Sequence, residues 1–220
     1  MVRLFLSVIY SIYFCFRYLP LKQAIKIPII IDISVRIRNL KRGRLIINSE
    51  KPSFAMSRIG FHKVPSIDEW NIHTIIDIEN NGTLILHGDI HIGKGAIISC
   101  KRGILEIGQH FAISGTTTII CYKKIIIGNN VQFSWNTLVM DSDTHPIYDI
   151  ENNRINNDKE IIIGNNVWIG CNNTILKGTK IGNNCVIGSG SVLTKDYKED
   201  NKIIVGNPAT IKKTIAYWSI

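Results

Sequence analysis

Branched apolar residues recur every six positions along the last third of the chain: Ile163, Ile169, Ile175, Ile181, Ile187 and Leu193. Four residues after each of the first five stands a short side chain: Val167, Asn173, Thr179, Cys185 and Ser191. A step of six fits neither the 3.6-residue period of an α-helix nor the two-residue alternation of a long strand. Short fixed repeats of this kind predict an all-β fold, a parallel β-helix, in which each hexad supplies one short strand and one corner. The branched residue points into a narrow core. The Gly and Asn residues of each unit, as in I-G-N-N-V-W, tolerate the left-handed backbone of tight corners. No hexad can bury its apolar side alone, so the coils must stack.

Upstream the step of six returns in shorter blocks: Leu86, Ile92, Ile98 and Ile104; then Ile107, Ile113 and Ile119; then Ile127, Phe133 and Val139. Each change of frame predicts a short insertion at a corner. Between Asp141 and Glu160 the repeat vanishes into a polar stretch, DSDTHPIYDIENNRINNDKE, and so long a loop in a regular domain is usually functional or disordered. Residues 33–81 alternate without sustained sixes and read as irregular first coils. The chain thus divides into an N-terminal helix and linker (1–32), a β-helix (33–206) with a protruding loop (141–160), and a short helical tail (207–220).

Leu4 to Phe16 is apolar and bracketed by Arg3 and Arg17, too short to cross a bilayer as a helix and without a cleavage site after it. On a helical wheel Arg3, Ser7, Tyr10 and Arg17 oppose Leu4, Phe5, Val8, Ile12 and Cys15. Such an amphipathic helix either caps the open end of the solenoid, or contacts another subunit, or lies peripherally on an anionic membrane. Capping or subunit contact is the preferred reading. Five scattered cysteines without a C-x-x-C pair argue for free thiols and a reducing, cytoplasmic setting, at most at the inner face of the membrane. A net charge of +9 calls for an anionic partner, but no nucleic-acid module accompanies it.

The loop holds the candidate chemistry. His145 follows Asp141 and Asp143 and precedes Pro146. A histidine titrates near neutrality and can take a proton from a hydroxyl and pass it on. A carboxylate, Asp143 or Asp141, or a backbone carbonyl would fix its tautomer.

The run T-H-P-I-Y-D, then I-I-I-G-N-N-V-W-I-G, then G-S-G-S-V-L-T-K-D, then V-G-N-P-A resembles the hexapeptide-repeat O-acetyltransferases. The likeness is tightest over 139–213 and points to the branch that acetylates surface polysaccharides; galactoside and maltose acetyltransferases share two of the blocks. The resemblance implies a left-handed β-helix with three hexads per turn, a homotrimer, and acetyl-CoA between neighbouring subunits. It implies no metal and no acyl-enzyme. His145 aligns with the family's general base, which deprotonates a sugar hydroxyl within a ternary complex, and Asp143 is expected to orient it.

Cofactor contacts carry over to Trp168, Cys171, Ser189, Thr194, Lys195 and Lys213, with Lys212 beside them. Trp168 is expected to line the channel for pantetheine and acceptor, and the lysines to meet phosphates. Two departures bear on the acceptor. Ser114 stands where galactoside acetyltransferases carry an acceptor-contacting Asn, and Thr194 stands where the sialic-acid branch carries a Tyr. Trp135 either replaces the lost stacking or packs a trimer interface. Arg154 in the loop is able to pair a sugar carboxylate bidentately. The expected acceptor is a sugar hydroxyl of a bacterial surface polysaccharide (capsule or O-antigen) or its precursor. N-acetylation of an amino-sugar nucleotide is the near rival and an inactive scaffold the non-enzymatic one. A γ-class carbonic anhydrase needs three zinc-binding histidines, and only His87 and His91 approach such a spacing.

Overall fold

The computed structural model describes residues 2–61, 72–79 and 81–219. Its described strands stack into three sheets of nine, seven and seven strands, parallel but for the last strand of the first, which form the three faces of a prism. The first face starts at Ile29–Ile31, the second at Arg36–Arg38 and the third at Leu45–Ile47. After the loop the coils have the expected pitch. Ile163 pairs with Ile181 and Ile169 with Ile187, eighteen residues or three hexads on. Before the loop Ile92 pairs with Ile113 and Ile113 with Phe133, steps of twenty-one and twenty, so the frame changes are corner insertions. Ile127 pairs with Ile163, thirty-six residues away, because the loop leaves the prism and returns in register.

The chemistry of each hexad explains the sequence. The branched residues from Ile163 to Leu193 are buried, as are the small residues four further on. In the G-N-N corners the two asparagines do different things. The first forms a ladder. Gln109 N–H donates to Asn129 Oδ1 at 2.9 Å, Asn129 N–H to Asn165 Oδ1 at 2.8 Å, Asn165 N–H to Asn183 Oδ1 at 2.8 Å, and Asn183 N–H to Asp200 Oδ1 at 2.7 Å. The second turns the corner: Asn130, Asn166 and Asn184 have φ of 55°, 54° and 55°, a conformation that asparagine adopts more readily than most residues.

Three sequence expectations need correction. Ile104 is exposed and Leu105 is the inward residue, because the corner at 101–103 is longer than a hexad allows. The coils begin at Ile29, inside the segment read as linker. Of the first coils, residues 62–71 and 80 lie outside the described residues; the described strands pair at uneven steps, Ile29 with Ser57 and Ile37 with Ile76, so these coils are irregular as expected. The C-terminal tail is not helical. Ala209–Thr214 runs antiparallel to Lys202–Gly206 and extends the first face by one strand. The chain reverses where Gly206 takes φ of 111°, and pairing satisfies the edge of the last coil as a helix could not.

Helix α1 (Val2–Tyr18) caps the other end of the same face. Its small residues at intervals of four act as a substitute strand beside Ile29–Ile31. Ile31 N–H donates to Ser11 Oγ at 2.8 Å and Ile33 N–H to Ser7 Oγ at 3.0 Å, while Cys15 Sγ reaches Ile29 O at 3.4 Å. Arg3 pairs bidentately with the buried Asp32. Cys15 therefore belongs with Ser7 and Ser11 on the protein-facing side, not with the apolar residues opposite. The capping expectation holds, with the row of Ser7, Ser11 and Cys15 facing inward, Arg17 exposed, and most of the apolar side facing out.

Candidate active site

The loop 141–160 is held in shape by its own side chains. At its base the buried Asp141 accepts three backbone N–H donors of the coil below, from Tyr122 at 2.7 Å, Lys123 at 2.8 Å and Lys124 at 2.7 Å. Ser142 donates to Asp158 at 2.7 Å, and Arg102 and Arg154 reach the same carboxylate. Burial opposes ionisation of Asp158, but these donors outweigh it and hold its carboxyl below the usual range. Part-way along it Asn156 clamps both arms. Its Nδ2 donates to His145 O and Asp143 Oδ2, both at 2.8 Å, and its Oδ1 accepts from Ile147 N–H at 2.7 Å.

His145 stands between these anchors. Its backbone N–H donates to Asp143 O at 2.7 Å, and its side chain is exposed. Among the described residues the imidazole makes no hydrogen bond. Asp143 turns instead to Lys177 Nζ and Asn156, and the Lys177 bond holds its carboxyl below the usual range. Asp141 is committed to backbone amides. In this chain both carboxylates shape the backbone around His145 rather than touching its ring.

The remaining residues fall on two edges of the prism. Along the edge between the first and second faces, successive coils place Ser114 and Gly115, then Trp135, then Cys171, then Ser189. Asn172 N–H donates to Trp135 O and Gly190 N–H to Cys171 O, both at 3.0 Å, so these corners stack directly. Cys171 Sγ lies 3.4 Å from Ser189 Oγ. Gly190 has φ of 72° with nothing within 4 Å of where a Cβ would stand, which leaves an open, narrow shelf. Ser114 lines a cavity of about 340 Å³ with Arg58, His91 and Gln132. Trp168, on the first face, is 43% exposed; its Nε1 reaches Ser134 Oγ at 3.4 Å and its ring packs 6.2 Å from Trp218.

Along the edge between the second and third faces lie the loop with His145, then Lys177, then Thr194 and Lys195. Lys195 Nζ sits 5.7 Å from the centre of the Tyr197 ring. Lys213 is exposed on the terminal strand opposite Ile203, with Lys212 beside it. Arg154 bonds Asp158 at 3.4 Å within the loop, and its buried Nε has no partner among the described residues.

Sequence reasoning passed over Lys177, Asn156 and Trp218. The signals were faint: Lys177 is the one charged residue at the third position of the hexads from Ile163 to Val192, Asn156 ends the N-R-I-N stretch, and Trp218 follows Tyr217 at the tail. Burial pushes the Cys15, Cys121 and Cys185 thiols up, and Cys100 up to about 12, so these four are poor nucleophiles. Among the described residues no cluster of three or more metal-ligating side chains occurs, and His87 pairs with Glu106 at 2.8 Å.

Comparison with known proteins agrees with the coil pattern. Residues 160–195 match the bacterial transferase hexapeptide (six repeats) family. A polysialic acid O-acetyltransferase of Neisseria meningitidis is 47% identical over 104 residues, 46% of this chain and 43% of that protein. Its counterpart in Escherichia coli O1:K1 / APEC is 36% identical over 87 residues, 39% of this chain and 28% of that protein. The matches thus span less than half the length of both curated relatives. The solved structure of the polysialic acid O-acetyltransferase OatWY superposes with a TM-score of 0.59 at 28% identity, covering 86% of this chain and 89% of that one. With hexads, three-faced coils and these matches in agreement, the chain has the left-handed β-helix fold and is similar to hexapeptide-repeat transferases, among them proteins named polysialic acid O-acetyltransferases.

Proposed function

We propose that this protein transfers an acetyl group from acetyl-CoA to a hydroxyl of an acidic bacterial surface polysaccharide, with His145 as the general base. The observation that carries the reading is the setting of His145. Its backbone is clamped from both sides while its ring faces solvent on a long excursion from the regular coils. A base needs this combination of fixed origin and open access. The relatives' names supply the class of acceptor.

When bound, acetyl-CoA supplies an activated thioester. The shelf of Cys171, Ser189 and Gly190 fits an extended pantetheine arm, because small side chains leave backbone groups accessible. Exposed Lys195 and Lys213, with Lys212 nearby, suit its phosphates. Trp168 offers an aromatic wall, and Ser114 and Trp135 lie on the same edge as the shelf. His145 Nε2 or Nδ1 takes the proton of the sugar hydroxyl as that oxygen forms its bond to the acetyl carbon. The histidine then returns the proton to the departing thiolate. Asp143 acts on the backbone of His145 through Asn156. Arg154, held by Asp158, contributes to loop shape more than to recognition.

A homotrimer follows from the same reading. His145 and the Cys171–Ser189 shelf lie on different edges of one prism, so a site that uses both is completed where two copies meet. The test is incubation of the purified protein with acetyl-CoA and oligosaccharides of sialic acid, free thiol being followed and the acetyl group located by mass spectrometry and NMR. Transfer to a sugar oxygen is expected. Acetyl found on nitrogen, or no transfer to any glycan in a broad panel, would overturn the reading. Light scattering should return a mass three times that of the chain.

A further inference from the structure

Helix α1 spends its polar stripe on the solenoid, and this leaves a problem on its other side. Phe5, Val8, Ile9, Ile12, Tyr13 and Phe16 are exposed, Phe5 at 65% and Tyr13 at 59%. At 100° per residue they occupy about 140° of the helix circumference, uninterrupted by a charge. Soluble surfaces rarely leave so continuous an apolar strip open to water. Leu21 and Ile25 prolong it past the end of the helix.

The charge distribution says what covers it. The first 49 residues hold nine Lys and Arg against a single acid, Asp32; residues 50–220 hold seventeen against sixteen. The net charge of +9 therefore resides almost wholly in the segment that carries the apolar strip. Arg17 flanks the strip on α1, and Lys22 and Lys26 follow it. Arg42 joins them at the helix end by donating to Leu19 O at 3.0 Å. All four side chains are exposed, and Asp32, buried beneath α1, is occupied by Arg3.

We infer that this end of the molecule docks on an anionic lipid surface, with α1 lying in the plane of the interface. An apolar face gains by entry into the acyl boundary, and cations at its margin gain by proximity to lipid phosphates. A contact of this face with a second copy would instead set two cationic surfaces together, since the first 49 residues of each hold nine cations and one acid that Arg3 already pairs. The helix does not insert across the bilayer: no described helix is long and apolar enough to cross a membrane. Its rigid attachment through Ser7, Ser11 and Cys15 means that the solenoid is held at a fixed angle to the surface.

The test is co-sedimentation of the full chain with vesicles of phosphatidylcholine alone or with about a third phosphatidylglycerol, a content chosen to give a strongly negative surface. Binding to the anionic vesicles is expected, weakening as salt is raised. The triple substitution Phe5→Ser, Ile9→Ser and Phe16→Ser keeps the capping stripe and should weaken binding at least about ten-fold. Lys22→Gln with Lys26→Gln should weaken it about ten-fold and flatten the salt dependence. Circular dichroism and the thermal midpoint of both variants should match the parent. Absence of binding by the folded parent protein overturns the proposal, as does equal binding to neutral vesicles. If the triple variant lowers the mass seen by light scattering and leaves vesicle binding intact, the face belongs between copies and the proposal fails.

Discussion

The coils and the loop they carry cohere by different means. In the coils each residue repeats what its neighbour one turn away does: a backbone ladder, a buried branched side chain, an asparagine rung. Loss of one contact leaves many like it, as expected where stability sums over nearest neighbours. The loop 141–160 has no such redundancy. Asp141, Ser142, Asn156 and Asp158 each make several bonds that nothing else in the chain can replace. The contrast separates stability from chemistry, because the scaffold tolerates change by averaging it whereas the site depends on single side chains.

Substitutions graded by expected effect would break or sharpen that contrast. His145→Ala should lower turnover by about 10²–10⁴-fold, the usual scale for loss of a general base, while the thermal midpoint stays put; a wild-type rate would place the base elsewhere. Asp141→Ala strands three backbone donors where loop meets coil. It should lose about 3 kcal/mol in denaturant unfolding. Asn156→Ala should cost about 1–2 kcal/mol locally, seen as faster hydrogen exchange at Ile147 and at the amides around His145. Turnover should fall with it while the coil amides stay protected. Asn183→Ala removes one rung of many and should cost about 1 kcal/mol or less. If that rung instead melts the loop, the two regions are coupled and the contrast is wrong.

The smallest effect is expected at the cap. Burial alone would raise the Asp32 pKa, but hydrogen bonds from Arg3 and Ser34 outweigh it and hold the carboxyl below its usual value. A depressed folded-state value means that ionised Asp32 stabilises the fold above about pH 4. That contribution fades as pH falls through the folded-state value. Asp32→Asn should therefore be less stable at neutral pH, by under about 1 kcal/mol because Arg3 is half exposed, with the gap closing in acid. A gap that widens in acid would contradict this pairing.

Repetition made the coils legible in the sequence. Ile163 to Leu193 read correctly because each hexad meets the same environment, whereas Ile104 misled because a corner insertion hides one step of frame. The tail misread as helix had only local propensity to go by, and strand pairing at the end of the solenoid decided it. The loop could be located, and His145 picked out, from the break itself and from the resemblance of its motif. The partner of Asp143 could not, since Lys177 lies thirty-four residues away and meets it only because the intervening chain completes its coil. For α1 the wheel found the amphipathicity but not which side faced the protein, because serine rungs against a strand edge leave no periodic signature.

Those rungs also set a limit on growth. A stack of identical coils has no inherent length, and a bare end strand offers the next molecule a row of donors and acceptors to continue the pile. By filling the open positions beside Ile29–Ile31 with Ser7, Ser11 and Cys15, the helix acts as a chain terminator, which makes the solenoid a finite object instead of the first segment of a filament.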